Sequence, residues 1–128
     1  MGASMELEGF VELQKRLNEL GKKGKKVENR AIQAGAKILA DTIRKEVPVS
    51  NIDHLHIRDD IQVSRTKRKN GIAFADVGPG KETAWRAKFL EFGTVKMPPN
   101  PFMSRAEKKS QNEVLAAIKQ EIRKELDI

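Results

Sequence analysis

Residues 61–80 read IQVSRTKRKNGIAFADVGPG, and this stretch decides the fold class. Asn70-Gly71 at its centre is a strong hairpin signal, because both residues tolerate the positive φ angles of a tight primed turn. The flanking runs, residues 61–68 and 72–78, predict two short antiparallel strands, and Pro79-Gly80 closes the second. The rest of the chain carries mostly helical spacing. The pattern is therefore α+β, with long helices packed on a small antiparallel β-hairpin.

Working outward, residues 25–47 predict a long helix. Val27, Ala31, Ala34, Ile38, Thr42 and Ile43 fall along one face, and Ala34, Gly35 and Ala36 keep its middle thin. Pro48 ends it, since the residue before proline is pushed out of the α region. At 1.5 Å per residue it is about 35 Å long. Upstream, Phe10, Leu13, Leu17 and Leu20 mark a first helix that stops at Gly21. Residues 21–26 form a basic joint, read as a short turn or a hinge. Downstream, residues 49–60 are polar and irregular, and residues 83–92 predict a short helix with Trp85, Phe89 and Phe92 near one side. Prolines keep residues 95–101 out of regular structure. A last helix covers about residues 101–126. It is capped by Asn100 with Pro101 in the first position, or by a Ser104–Glu107 capping box. Val114, Leu115, Ile118, Ile122 and Leu126 are its apolar stripe. Both long helices are expected on the sheet, with Ile38, Ile43, Phe89, Phe92, Ile118 and Ile122 buried. Residues 5–128 read as one domain, and residues 1–4 as a cloning remnant ahead of a native start near Met5.

Composition narrows the function. Aromatic residues are only 5% of the 128, so the core must come from Leu, Ile, Val and Ala. Without cysteine there is no disulfide, thiolate zinc site or cysteine nucleophile. No apolar run approaches the roughly 20 residues that span a bilayer, and no basic stretch precedes an apolar one as in a signal peptide. Met1-Gly2 does not start a myristoylation motif, because Glu6 stands where Ser or Thr is needed. The net charge of +7 fits nucleic acid, an acidic protein surface or simple solubility. It is spread over clusters such as Lys22, Lys23, Lys25 and Lys26, with acids interleaved, so most of it reads as solvated faces. The hairpin cluster Arg65, Lys67, Arg68 and Lys69 is the candidate nucleic-acid contact.

No chemistry is written in the chain. His54 and His56 stand near Asp53, Asp59 and Asp60, but a metal needs well-placed third and fourth ligands, and a polar turn accounts for the cluster. There is no Gly-x-Ser-x-Gly elbow. Gly78-Pro79-Gly80-Lys81 lacks the spacing of a phosphate-binding loop. A nuclease would need a carboxylate cluster that is not visible here. No catalytic residue, metal or cofactor is expected.

The stretch from Trp85 through Ala87, Phe89, Glu91, Phe92, Gly93 and Thr94, followed by Met97-Pro98-Pro99-Asn100-Pro101-Phe102-Met103, is more specific. It resembles the neck or tail-component family of long-tailed phages typified by gene product ten of phage HK ninety-seven. That family carries an aromatic-Ala-x-Phe-x-Glu-Phe-Gly-Thr segment, then a proline-rich loop, Pro-Phe and a helix. Weaker agreement runs from about Leu7 to Leu126. It includes Pro48-Val49 and the run Ile57-Arg58-Asp59-Asp60-Ile61, where His54 and Leu55 replace the family's Thr-Gly and Asp60 its Ser.

The resemblance implies a non-enzymatic virion protein of a phage or prophage, assembled in the host cytoplasm and helping to join head and tail. It implies a homo-oligomeric ring of hexamer-like symmetry beside other head-closure and tail proteins. DNA would pass through without sequence-specific contact, and no membrane is involved. Phe89 and Phe92 would anchor the short helix, Gly93 permit a sharp exit, and Thr94 satisfy backbone groups. Glu91 would stabilise the turn or bridge subunits. Val95, Met97, Pro98, Pro101 and Phe102 are the candidate subunit contact, on a loop that prolines stiffen before it binds.

Overall fold

A computed structural model describes residues 12–49 and 54–127. Helix α1 is described over residues 12–19 and α2 spans Lys22–Glu46. A 3-10 turn, Ile57–Asp60, leads into β1 (Ile61–Val63), β2 (Lys67–Lys69), β3 (Ile72–Phe74) and β4 (Val77–Pro79). Helices α3 (Ala84–Phe92) and α4 (Phe102–Leu126) follow.

The basic joint is a single reversal. Gly21, at φ 60°, turns the chain, and the Lys25 amide already bonds the Gly21 carbonyl 3.1 Å away. Residues 22–26 are thus the first turns of α2, not a hinge. The two helices touch backbone to backbone at Gly24, where a Cβ would stand 1.9 Å from the Leu17 carbonyl oxygen. Helix α2 ends as expected: Val47 is extended ahead of Pro48, with φ −76° and ψ 133°. Its buried face is rotated from the expected one. Val27, Ala31, Gly35, Ala40 and Ile43 are buried, while Ala34, Ile38 and Thr42 are half-buried.

The hairpin forms around Asn70 (φ 53°) and Gly71 (φ 78°), with Lys69 facing Ile72 and Lys67 facing Phe74. It is bent into two antiparallel pieces, because β1 pairs separately with β4 in the register Ile61–Pro79 to Val63–Val77. At the bend the Ser64 hydroxyl accepts the Asp76 amide at 2.8 Å, so a side chain does locally what the ladder would otherwise do.

Helix α2 packs on the hairpin, but α4 lies mainly along α2 and also against α3, not on the strands. Among the described residues apolar burial falls into two clusters. One, around Ile43, Ile57, Ile61, Ala87 and Phe102, joins the end of α2 to the sheet, α3 and the start of α4. The other joins Leu13 and Leu17 to Val27, Ala31, Ile118 and Ile122. Burial of Ile43, Ile118 and Ile122 agrees with the sequence; Phe89 and Phe92 lie outside both clusters.

Candidate interaction surface

Helix α3 is apolar on two sides, and the smaller side faces inward. Ala87 is buried against the core with Thr83 just before the helix, whereas Trp85, Phe89 and Phe92 are 59%, 47% and 73% exposed. The spacing 85, 89, 92 reads from sequence as a core stripe, so the expected anchoring by Phe89 and Phe92 is corrected. The inner side is instead occupied by Ala87, 1% exposed and packed in one cluster with Ala40 and Ile43 of α2 and Phe102 and Ala106 of α4.

Glu91 shares the inner face of α3. It is 7% exposed and reaches the start of α4. Its carboxylate accepts the Met103 amide at 2.9 Å, the Ser104 hydroxyl at 2.6 Å and, more weakly, the Ser104 amide at 3.4 Å. Neither expected cap forms: Pro101 is the capping residue and supplies no side-chain bond, and Ser104 donates to Glu91. An anionic acceptor at a helix N-terminus satisfies free amides and meets the favourable end of the dipole. Glu91 is therefore an intramolecular cap borrowed from the preceding helix.

The loop between α3 and α4 is tied along its length. Gly93, at φ 77°, closes α3, and a Cβ there would stand 2.8 Å from the Pro99 nitrogen. Thr94 and Met97 pair across a bridge, and the Thr94 hydroxyl accepts the Lys96 amide at 3.3 Å. The Asn100 amide bonds the Leu90 carbonyl at 2.6 Å. Val95 is fully exposed at the tip, and Met97, Pro98 and Pro101 are exposed. Phe102 is not: at 0% exposure it is among the largest fully buried side chains. It leaves the candidate contact set because its side chain fills the core between α2 and α4.

Between α3, this loop and the chain leaving α2 runs an open groove of about 450 Å³, floored by Pro48, Ile57, Phe89, Leu90 and Met97. Trp85 also lines it and meets Phe89 edge to face at 6.0 Å. The Arg86 guanidinium lies 5.9 Å from the Trp85 ring centroid and donates to the Leu55 carbonyl.

Other sequence candidates are dispersed. Lys67 pairs with Asp76 at 3.0 Å. Arg68 is bound to Glu28 at 2.6 Å, to Asn29 and to the Lys25 carbonyl. Among the described residues only Arg65 and Lys69 of that cluster have no such partner. The His54 and His56 rings are 5.1 Å apart, and Asp53 lies outside the described residues. Asp60 accepts Thr83 Oγ1 at 2.7 Å and Gln62 at 3.0 Å, which ties the 3-10 turn to the start of α3. Among the described residues no three His, Cys, Asp or Glu converge as a metal site would require, and no helix is long and apolar enough to cross a membrane.

Two carboxylates escaped the sequence reading. Glu28, 7% exposed, joins Arg68 of the hairpin to Gln14 of α1, the latter at 2.9 Å. Glu46 joins the end of α2 to Lys109 and to Arg105 of α4, the latter at 2.9 Å. These two cations, Lys109 foremost, hold the Glu46 carboxyl below the ordinary carboxylate value. Glu28 could have been found, since an acid directly beside Val27 and three residues before Ala31 on an apolar stripe needs a cation to meet it.

A family model described as "Bacteriophage HK97-gp10, putative tail-component" matches residues 11–93. The matched span ends at Gly93, so the proline loop and α4 lie beyond it. No curated protein and no solved structure matches the chain.

Proposed function

This chain belongs to the HK97-gp10-like family of bacteriophage tail components, and on that premise we propose that it works by binding alone, as one subunit of a ring that helps to join head and tail in the virion. The ring assembles in the host cytoplasm and docks other head-closure and tail proteins. The observation that carries this is the outward aromatic face of α3, continued by Val95 and Met97. A contiguous exposed apolar patch of this kind is typical of an interaction surface. Aromatic side chains and Met are also enriched at interface centres. Copies joined through two different patches close into a ring when the rotation divides a full turn.

The test uses phage particles carrying variants. Phe89→Asp and Met97→Asp should leave the fold intact and block head–tail joining. Phe102→Asp should unfold the chain instead. Electron microscopy that finds the protein absent from particles, or scattered off the axis, overturns the ring. The hairpin alternative, a nucleic-acid module, keeps Arg65 and Lys69 as its outward cations. Saturable, sequence-dependent DNA binding at physiological salt, lost in Arg65→Ala, would favour it. Weak binding that falls steeply with salt would not.

A further inference from the structure

The groove beside α3 carries charge of one sign. Helix α3 and the loop after it hold three cations, Arg86, Lys88 and Lys96, and a single acid, Glu91. Glu91 is turned inward to cap α4. Lys88 and Lys96 are exposed, and Arg86 is half-buried with its guanidinium on the Leu55 carbonyl. Among the described residues none of the three pairs with a carboxylate. The opposite wall is Pro48, Val49, His54 and His56, so no acid of the described residues lines the groove. Elsewhere Lys67, Arg68, Arg105 and Lys109 meet acids of the same chain. Unmatched cations around an apolar floor fit an occupant that is apolar and acidic at once.

We propose that this groove docks a short acidic, apolar segment of a different virion protein. Its large side chains lie on the floor made by Ile57, Phe89 and Met97, and its carboxylates meet Arg86, Lys88 and Lys96. This rests on the reading of the chain as a docking subunit and names the partner's chemistry. The volume of about 450 Å³ falls within the roughly 300–1,000 Å³ of pockets that enclose a small ligand, so it takes a few side chains and not a domain. A second copy does not supply them from its described surface. Away from this face, the exposed large apolar side chains there are Leu20 and Ile72. Ile72 faces Lys69 across the hairpin, and Leu20 stands between Glu19 and the pair Lys22 and Lys23. Neither is an acidic apolar patch. Phe92 lines a separate hollow with Leu39, Val77 and Met103, which leaves that side of α3 to contacts between copies.

Trp85 is the single tryptophan and lines the groove, so its emission reports occupancy in the full chain. The probe is a short, soluble synthetic peptide in which Glu alternates with Phe and Leu. One control peptide carries Lys for every Glu, and another carries Ser for every Phe and Leu. The acidic peptide should shift Trp85 emission saturably to the blue, and its apparent Kd should rise severalfold from low to physiological salt. Neither control should bind comparably. Lys88→Glu/Lys96→Glu changes two exposed side chains, with the fold checked by circular dichroism, and should weaken binding severalfold. Phe89→Asp should abolish it. No binding of the acidic peptide overturns the proposal. So does equal binding of the Lys peptide, or undiminished binding to the Lys88→Glu/Lys96→Glu chain. A blue shift of the parent chain with rising concentration alone means that another copy fills the groove. A red shift of the dilute chain in Phe10→Ser means that its own N-terminal segment does, and either result overturns the proposal. If the peptide fails while Phe89→Asp still blocks head–tail joining in particles, the docking reading stands and only this partner chemistry falls. If neither effect appears, both fall.

Discussion

Replacing Glu91 should cost more stability than any other single change to an acidic residue of the α3 motif region. The side chain is buried and caps α4 through two short bonds, 2.9 Å to the Met103 amide and 2.6 Å to the Ser104 hydroxyl. Hydrogen bonds to charged groups contribute about 1.5–3 kcal/mol each, and a lost helix cap typically costs about 1 kcal/mol. These overlap, so Glu91→Ala should lose about 3 kcal/mol, a large share of the roughly 5–15 kcal/mol that holds a domain of this kind. Glu91→Gln keeps one acceptor oxygen but loses the charge at the helix N-terminus, and should lose about half as much. The corresponding fall in Tm for the Ala variant is on the order of 10 °C. Urea unfolding followed by far-ultraviolet circular dichroism measures both. Coupling is tested by a double-mutant cycle with Ser104→Ala, which should show an interaction of about 1 kcal/mol. An Ala variant within about 0.5 kcal/mol of the parent chain, the range of ordinary surface changes, would refute the capping role. So would strict additivity with Ser104→Ala.

Other changes test the frame around the surface. Gly24→Ala places a Cβ on the Leu17 carbonyl; it should lose about 2 kcal/mol or more through forced separation of α1 from α2, seen as a lower urea midpoint and faster proteolysis before residue 20. Arg68→Ala strands the buried Glu28 and should lose about 2 kcal/mol, with faster amide exchange confined to the hairpin and α1. Glu46 makes stability pH-dependent on the acid side. Its folded carboxyl is held below the ordinary value by Lys109 and Arg105. Its contribution is therefore complete above the ordinary carboxylate range and disappears as pH falls through the lowered folded value. Glu46→Gln should flatten that part of the acid limb of stability against pH, and an unchanged limb would show that the three side chains act independently.

The elements were legible in the sequence because local signals wrote them: Asn70-Gly71 for the hairpin, Pro48 for the end of α2, Gly93 for the end of α3. What was not legible depends on which of two acceptable faces turns inward. On α3 the large rings at 85, 89 and 92 outweigh Ala87 in any reading by hydrophobicity, yet close packing selects the small residue. The same limit misplaced Phe102. It reads as the first apolar residue after the proline loop and so as part of the same contact, but it opens α4 and turns into the core. The cap on α4 was hidden because its acceptor comes from another helix, and local capping rules look only a few residues away. The groove is likewise assembled from segments far apart in the chain, so no single stretch announces it.

The tie between Glu91 and the start of α4 turns loop length into a fixed quantity. The chain must leave α3 at Gly93, cross the Thr94–Met97 bridge, return so that Asn100 meets Leu90, and present the Met103 amide to Glu91. An inserted residue between Met97 and Asn100 would put these anchors out of step and release the helix end. Asn70-Gly71 has no such obligation, since its neighbours face solvent and a Cβ on Gly71 would meet nothing within 4 Å. A peptide tag or fluorescent reporter spliced into the hairpin tip should therefore leave the rest of the fold in register. The same splice a few dozen residues later would dismantle it.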